Sequence, residues 1–75
     1  MENQIENILV FATNIRTEKD KQTISGLLEE NPQINQWSID QEDIDCVLRI
    51  ESKTLSEKDI IGIIKSQNFN CSQLE

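Results

Sequence analysis

The chain contains no histidine and no tyrosine. Without an imidazole, the Ser-His and Cys-His pairs that activate a hydroxyl or thiol near neutral pH cannot be built, so the expectation is a non-catalytic protein with no cofactor. Cysteine is scarce: Cys46 and Cys71 are too few and too far apart for a disulfide scaffold, and they match no closely spaced zinc-ligand pattern. Positive charge is also in short supply. Seven Lys and Arg stand against fourteen Asp and Glu, a formal net charge of −7, which repels phosphate backbones and anionic lipid and excludes nucleic acid and membrane surfaces as expected partners. No long apolar run exists. The longest uncharged apolar stretch, Ile8 to Ile15, already contains Thr13 and Asn14 and falls well short of the roughly 20 residues that span a bilayer. Met1-Glu2-Asn3-Gln4 lacks the basic start of a secretory signal, so the expected location is cytoplasmic. The two glycines, Gly26 and Gly62, are isolated within helical patterns. They form no phosphate loop or dinucleotide fingerprint, and close helix packing is their expected use.

What remains has the composition of an ordinary folded chain, 36% hydrophobic and 28% charged, with no low-complexity run. Its 75 residues make one expected domain, 1–75, burying only about 60% of its unfolded surface, with no room for a deep enclosed site.

From about Gln4 to Thr13, Ile8, Val10 and Ala12 alternate with Leu9, Phe11 and Thr13, a pattern rich in branched and aromatic side chains that predicts a strand, apolar on both faces and therefore central. Thr17-x-x-Asp20 has the form of a helix cap in which hydroxyl and acid satisfy free amides of the first turn. Ile24, Leu27 and Leu28 supply the buried stripe of the helix behind it, Glu18 to Glu30, and Asn31-Pro32 ends it. Ile34, Trp37 and Ile39 lead a second strand, Asp40 to Asp43 a polar turn, and Cys46 to Glu51 a third strand. Ser56-x-x-Asp59 repeats the cap ahead of Ile60, Ile61, Ile63 and Ile64, with Leu55 as a hydrophobic staple, and Phe69 to Leu74 reads as a last short strand. The order βαββαβ predicts an α+β, ferredoxin-like sandwich: a four-stranded antiparallel sheet with two helices on one face. In that topology the first and third strands are central. Parity then sends Ile8, Val10, Ala12, Trp37, Ile39, Cys46, Leu48, Ile50, Phe69 and Cys71 toward the helices, leaving Leu9, Phe11, Thr13, Val47 and Arg49 on the open face.

The strand from Ile8, the loop at Asn14-Ile15-Arg16, the helix with Ile24 and Leu27, and the close from Asp59-Ile60-Ile61 through Asn68-Phe69 together resemble the heavy-metal-associated (HMA) domain of copper chaperones and metal-transporting ATPases. The resemblance covers nearly the whole chain. Such domains carry a Met-x-Cys-x-x-Cys loop between first strand and first helix, where two thiolates grip a soft monovalent ion. The matching positions here read Ile15-Arg16-Thr17-Glu18-Lys19-Asp20, so Thr17 and Asp20 stand where both cysteines would be. A hydroxyl and a carboxylate form a hard, weak pair that does not replace two thiolates, whereas both are what a helix start favours. The motif is degenerate, and no metal is expected there.

Three further groups of residues have bland and functional readings. Arg16, Lys19 and Lys21 gather near the amino end of the first helix, where an anion could meet free amides; a solvated surface is the default. Asp40, Glu42, Asp43 and Asp45 could attract a hard cation or a basic partner, but lack the glycine and spacing of a calcium loop. Cys46 and Cys71 read as buried thiols about two 4.8 Å strand spacings apart, too far for a direct disulfide. The functional expectation is a small binding or regulatory module with a metallochaperone-like fold. It would meet another protein, or itself, through an open face of Leu9, Phe11, Val47 and Arg49, with Phe11 as the anchor. The alternative is a metal-binding or metal-transporting domain with a changed, carboxylate-based site.

Overall fold

The computed structural model describes residues 7–74. The elements run β1 (Asn7–Thr13), α1 (Glu18–Glu29), β2 (Gln36–Asp40), β3 (Val47–Ser52), α2 (Glu57–Lys65) and β4 (Cys71–Gln73). The strands form one antiparallel sheet in the order β2-β3-β1-β4, the topology of the ferredoxin-like α+β sandwich. Residues 4–6 of the expected first strand lie outside the described residues.

Local chemistry sets the helix ends. At each start a complete capping box is present: Thr17 accepts from the Asp20 amide and Ser56 from the Asp59 amide, while each acid accepts from the backbone of its cap residue. Past α1 the Asn31 amide donates to the Leu28 carbonyl, and Pro32 prevents continuation. Past α2 the chain closes through Asn68 at φ 69, a left-handed conformation that asparagine tolerates better than most residues. Ile24 and Leu28 of α1 and Ile60 and Ile64 of α2 are buried against the sheet, each contributing about 1.5–3 kcal/mol by leaving water.

The face assignment of β1 is the reverse of the alternation-based expectation. Leu9 (7% exposed), Phe11 (0%) and Thr13 point into the core, while Ile8 is 56% exposed and Val10 and Ala12 are half-buried on the other side. Register is the cause: β1 pairs with β3 so that Leu9 lies opposite Ile50 and Phe11 opposite Leu48, and opposite residues share a face. Leu48 and Ile50 face the helices as expected, and the two larger side chains of β1 join them. Leu9 and Phe11 therefore cannot line an open interaction face; Val47 and Arg49 do lie there.

Smaller differences occur at element ends. Asp40 closes β2 rather than opening the turn, Cys46 precedes β3 at φ 43, and Phe69 packs on the core just ahead of β4. Ile15, read as loop, is fully buried. A Cβ built on Gly26 or Gly62 would meet nothing within 4 Å, so neither glycine serves close helix packing.

Candidate functional site

The loop between β1 and α1 is the position at which the resemblance would place a metal. Its backbone is held from several directions by side chains. The Thr13 hydroxyl donates to the Cys46 carbonyl at 2.7 Å and accepts from the Ile15 amide at 3.2 Å. Gln41, in the turn between β2 and β3, donates from Nε2 to the carbonyls of Ile15 (3.3 Å) and Thr17 (2.8 Å). Asn14 Oδ1 accepts from the Asn70 amide at 2.8 Å, tying the loop to the approach to β4. Ile15 occupies the core beneath it.

Thr17 and Asp20 are brought together, and toward each other's backbone. Asp20 Oδ2 accepts from the amides of Thr17 (3.2 Å) and Arg16 (3.3 Å), and Thr17 Oγ1 accepts from the Asp20 amide at 3.0 Å. The hydrogen bond from the Thr17 amide, assisted by those from the Thr17 hydroxyl and Arg16 amide and by nearby Lys19, holds the Asp20 carboxyl below its ordinary range despite some desolvation. The two backbone amides just ahead of α1 are thus partnered by a carboxylate of the chain itself. Of the expected cationic group, Arg16 turns its Nη1 to the Cys46 sulfur at 3.6 Å, and Lys19 is exposed while Lys21 is half-buried.

Cys46 and Cys71 are both buried and free. Thr13 touches the segments of both, its hydroxyl on the Cys46 carbonyl and its backbone paired with Cys71 in β4. Burial pushes the Cys71 thiol up to about 11, with the Lys65 charge acting weakly in the other direction. The acidic turn uses its carboxylates locally: Asp40 Oδ1 accepts from the Glu42 amide at 3.1 Å and Asp43 Oδ1 from the Asp45 amide at 2.9 Å. Among the described residues, no three His, Cys, Asp or Glu side chains converge on a point that could hold a metal ion.

The other candidate surface is the open face of the sheet. Val10 lies opposite Arg49, which in turn lies opposite Ser38, and Val47 lies opposite Asp40. Val10, Val47, Arg49, Ser38, Asp40 and Leu74 line a shallow concavity there, with Ile8 exposed farther along β1. Alternation could not locate Val10 and Ile8 on this face because both faces of β1 are apolar. The roles of Gln41, Thr13 and Ser52 also escaped the sequence reading; the repeated spacing Thr13-x-x-x-Thr17 and Ser52-x-x-x-Ser56 was the available signal. No helix among the described residues is long and apolar enough to cross a membrane. Compared with known proteins, the chain matches no family model, and no curated protein aligns with it significantly.

Proposed function

We propose that the chain is a non-catalytic binding or regulatory module that has the metallochaperone-like fold without its soft-metal site, and that it meets another protein through the open sheet face. The observation that carries this reading is the composition of that face. Val10 and Val47, with the more exposed Ile8, form an apolar strip around the Arg49 side chain on central strands, where a solvated sheet would normally present polar residues. The partner that fits is a protein surface offering apolar side chains and a carboxylate to Arg49. Two facts at the degenerate loop support the absence of metal traffic in this proposal. Thr17 and Asp20 spend their oxygens on the helix start, and the two thiols beside the loop, Cys46 and Cys71, are both buried.

The test compares capture of partners by the wild-type protein with capture by Val10→Glu and Arg49→Glu variants, each checked for folding by circular dichroism. A specific partner retained by the wild type and lost from both variants supports the proposal. Equal capture by all three proteins refutes the assigned face. Competition against a Cu(I) chelator addresses the other half: the protein should leave the copper with the chelator.

A further inference from the structure

A different surface of the fold, the free edge of β2, has the geometry for pairing with its own copy. The outward-facing backbone groups follow from the ladder. The Leu74 amide donates to the Val10 carbonyl, so Val10 faces β4 and its neighbours Leu9 and Phe11 face β3. Alternation along an antiparallel ladder then turns Leu48 and Ile50 toward β1, and Val47, Arg49 and Glu51 toward β2. Their partners Asp40, Ser38 and Gln36 face inward to β3. Trp37 and Ile39 are left with N–H and C=O directed away from the sheet. The opposite edge, β4, is only three residues long, whereas β2 has five and carries neither lysine nor proline, two common devices that blunt an edge.

We infer that β2 pairs antiparallel with β2 of a second copy about a two-fold axis at Ser38, joining the two sheets into one. In this register Trp37 of one copy and Ile39 of the other are hydrogen-bonded partners in both directions, so every outward group of the strand is used. The side chains agree with the backbone. On the helix side the half-buried Trp37 and Ile39 meet across the seam as an aromatic and a β-branched residue, a favourable cross-strand pair. On the open side the Gln36 amide meets the Asp40 carboxylate, a donor opposite an acceptor, and Ser38 meets Ser38. Charge selects the same orientation. Antiparallel pairing sends the acidic turns, with Asp40, Glu42, Asp43 and Asp45, to opposite ends of the seam, each beside the uncharged Asn35-Gln36 of the other copy; parallel pairing would stack them. The net charge of −7 on each copy opposes approach at long range, so association strengthens with ionic strength.

The two-fold axis makes a sharp cross-linking test with the full chain. Ser38 opposite Ser38 is a pair without backbone hydrogen bonds, with Cα atoms about 4.5 Å apart, within the span of a disulfide. Ser38→Cys should therefore oxidise to a covalent dimer at least about tenfold faster than Gln36→Cys or Asp40→Cys alone, reflecting the effective concentration of a pre-associated pair. A mixture of Gln36→Cys and Asp40→Cys should cross-link to the heterodimer. All three positions are exposed, and the native thiols are buried. Sedimentation of the wild type should show a dimer that grows with protein concentration and with salt from about 0.02 to about 0.5 M, and Ser38→Lys, which places two lysines face to face, should abolish it. Equal oxidation rates for the three cysteine variants, self-linking fastest at Gln36→Cys or Asp40→Cys, a wild type monomeric at millimolar concentration, or an undiminished Ser38→Lys dimer would overturn the inference. Val10→Glu on the open face should leave the cross-linking unchanged, which separates this edge from the surface proposed above.

Discussion

Thr13 and Ser52 do the same work at the ends of the two central strands. Each is a buried hydroxyl that donates to a carbonyl of a neighbouring segment at 2.7 Å, Cys46 for Thr13 and Gln33 for Ser52, and accepts from the amide two residues ahead at 3.2 Å. Each also stands four residues before the hydroxyl that caps the following helix. The two βα halves thus share one device for turning from sheet into helix: a hydroxyl satisfies the backbone groups of a loop that must pass close to the core.

Removing either hydroxyl leaves buried backbone groups unpaired. Thr13→Val and Ser52→Ala should each lower the free energy of unfolding by about 1–3 kcal/mol. Urea denaturation measures this, and a change well under 0.5 kcal/mol at both positions would show that water reaches these groups.

The helix caps should cost less. Thr17→Ala and Ser56→Ala are each expected to destabilise by about 1 kcal/mol, and the double variant by the sum, because the caps share no partners. Loss of a binding activity by Thr17→Ala with unchanged stability would identify the loop as functional rather than structural.

The reversal of the β1 faces predicts a contrast between adjacent residues. Phe11→Ala removes a fully buried ring and should cost about 3–5 kcal/mol, a large share of the stability expected of so small a chain. Val10→Thr, on the open face, should change stability by less than about 1 kcal/mol. Thermal unfolding of the pair distinguishes this arrangement from its opposite.

Gly26 and Gly62 offer a gain. Each lies in a helix with open space where a Cβ would be, so Gly26→Ala and Gly62→Ala should each raise stability by about 0.5–1 kcal/mol through helix propensity and a less entropic unfolded chain.

Among the described residues, Cys71 and Asp20 each contribute a pH dependence of definite sign. The Cys71 thiol is raised from 9.0 to about 11. Between these values the unfolded chain loses the proton and the folded chain keeps it, so the contribution is intact below pH 9.0 and is lost as the pH climbs toward 11. Asp20 acts at the other end: its carboxyl is lowered on folding from 3.8, so its contribution is present above that value and fades as the pH falls below it. Urea midpoints across the pH range should fall at both extremes, and Cys71→Ala should flatten the alkaline limb. At neutral pH the Cys71 thiol should react far more slowly with an alkylating reagent than in the unfolded chain.

Element order, both capping boxes and the stop at Asn31-Pro32 were legible from residue types alone, because each depends on a few neighbouring residues, and the antiparallel topology followed from the βαββαβ order by the connection rules of that motif. The placement of Thr17 and Asp20 at a helix start was legible for the same reason. What stayed hidden depends on contacts distant in sequence. Ile15 reads as loop until the core closes over it; the buried hydroxyls of Thr13 and Ser52 acquire partners from other segments; Gln41 reaches the β1–α1 loop across the fold.

The face of β1 marks the boundary between the two kinds of information. By itself the sequence determined that the stretch from about Gln4 to Thr13, observed as β1 over Asn7–Thr13, is a central strand, since side chains are apolar on both parities. Only the tertiary structure decided which parity faces the helices, because the pairing of Leu9 with Ile50 and of Phe11 with Leu48 sets the face, and a slip of one residue in that register would have exchanged every side chain between core and solvent.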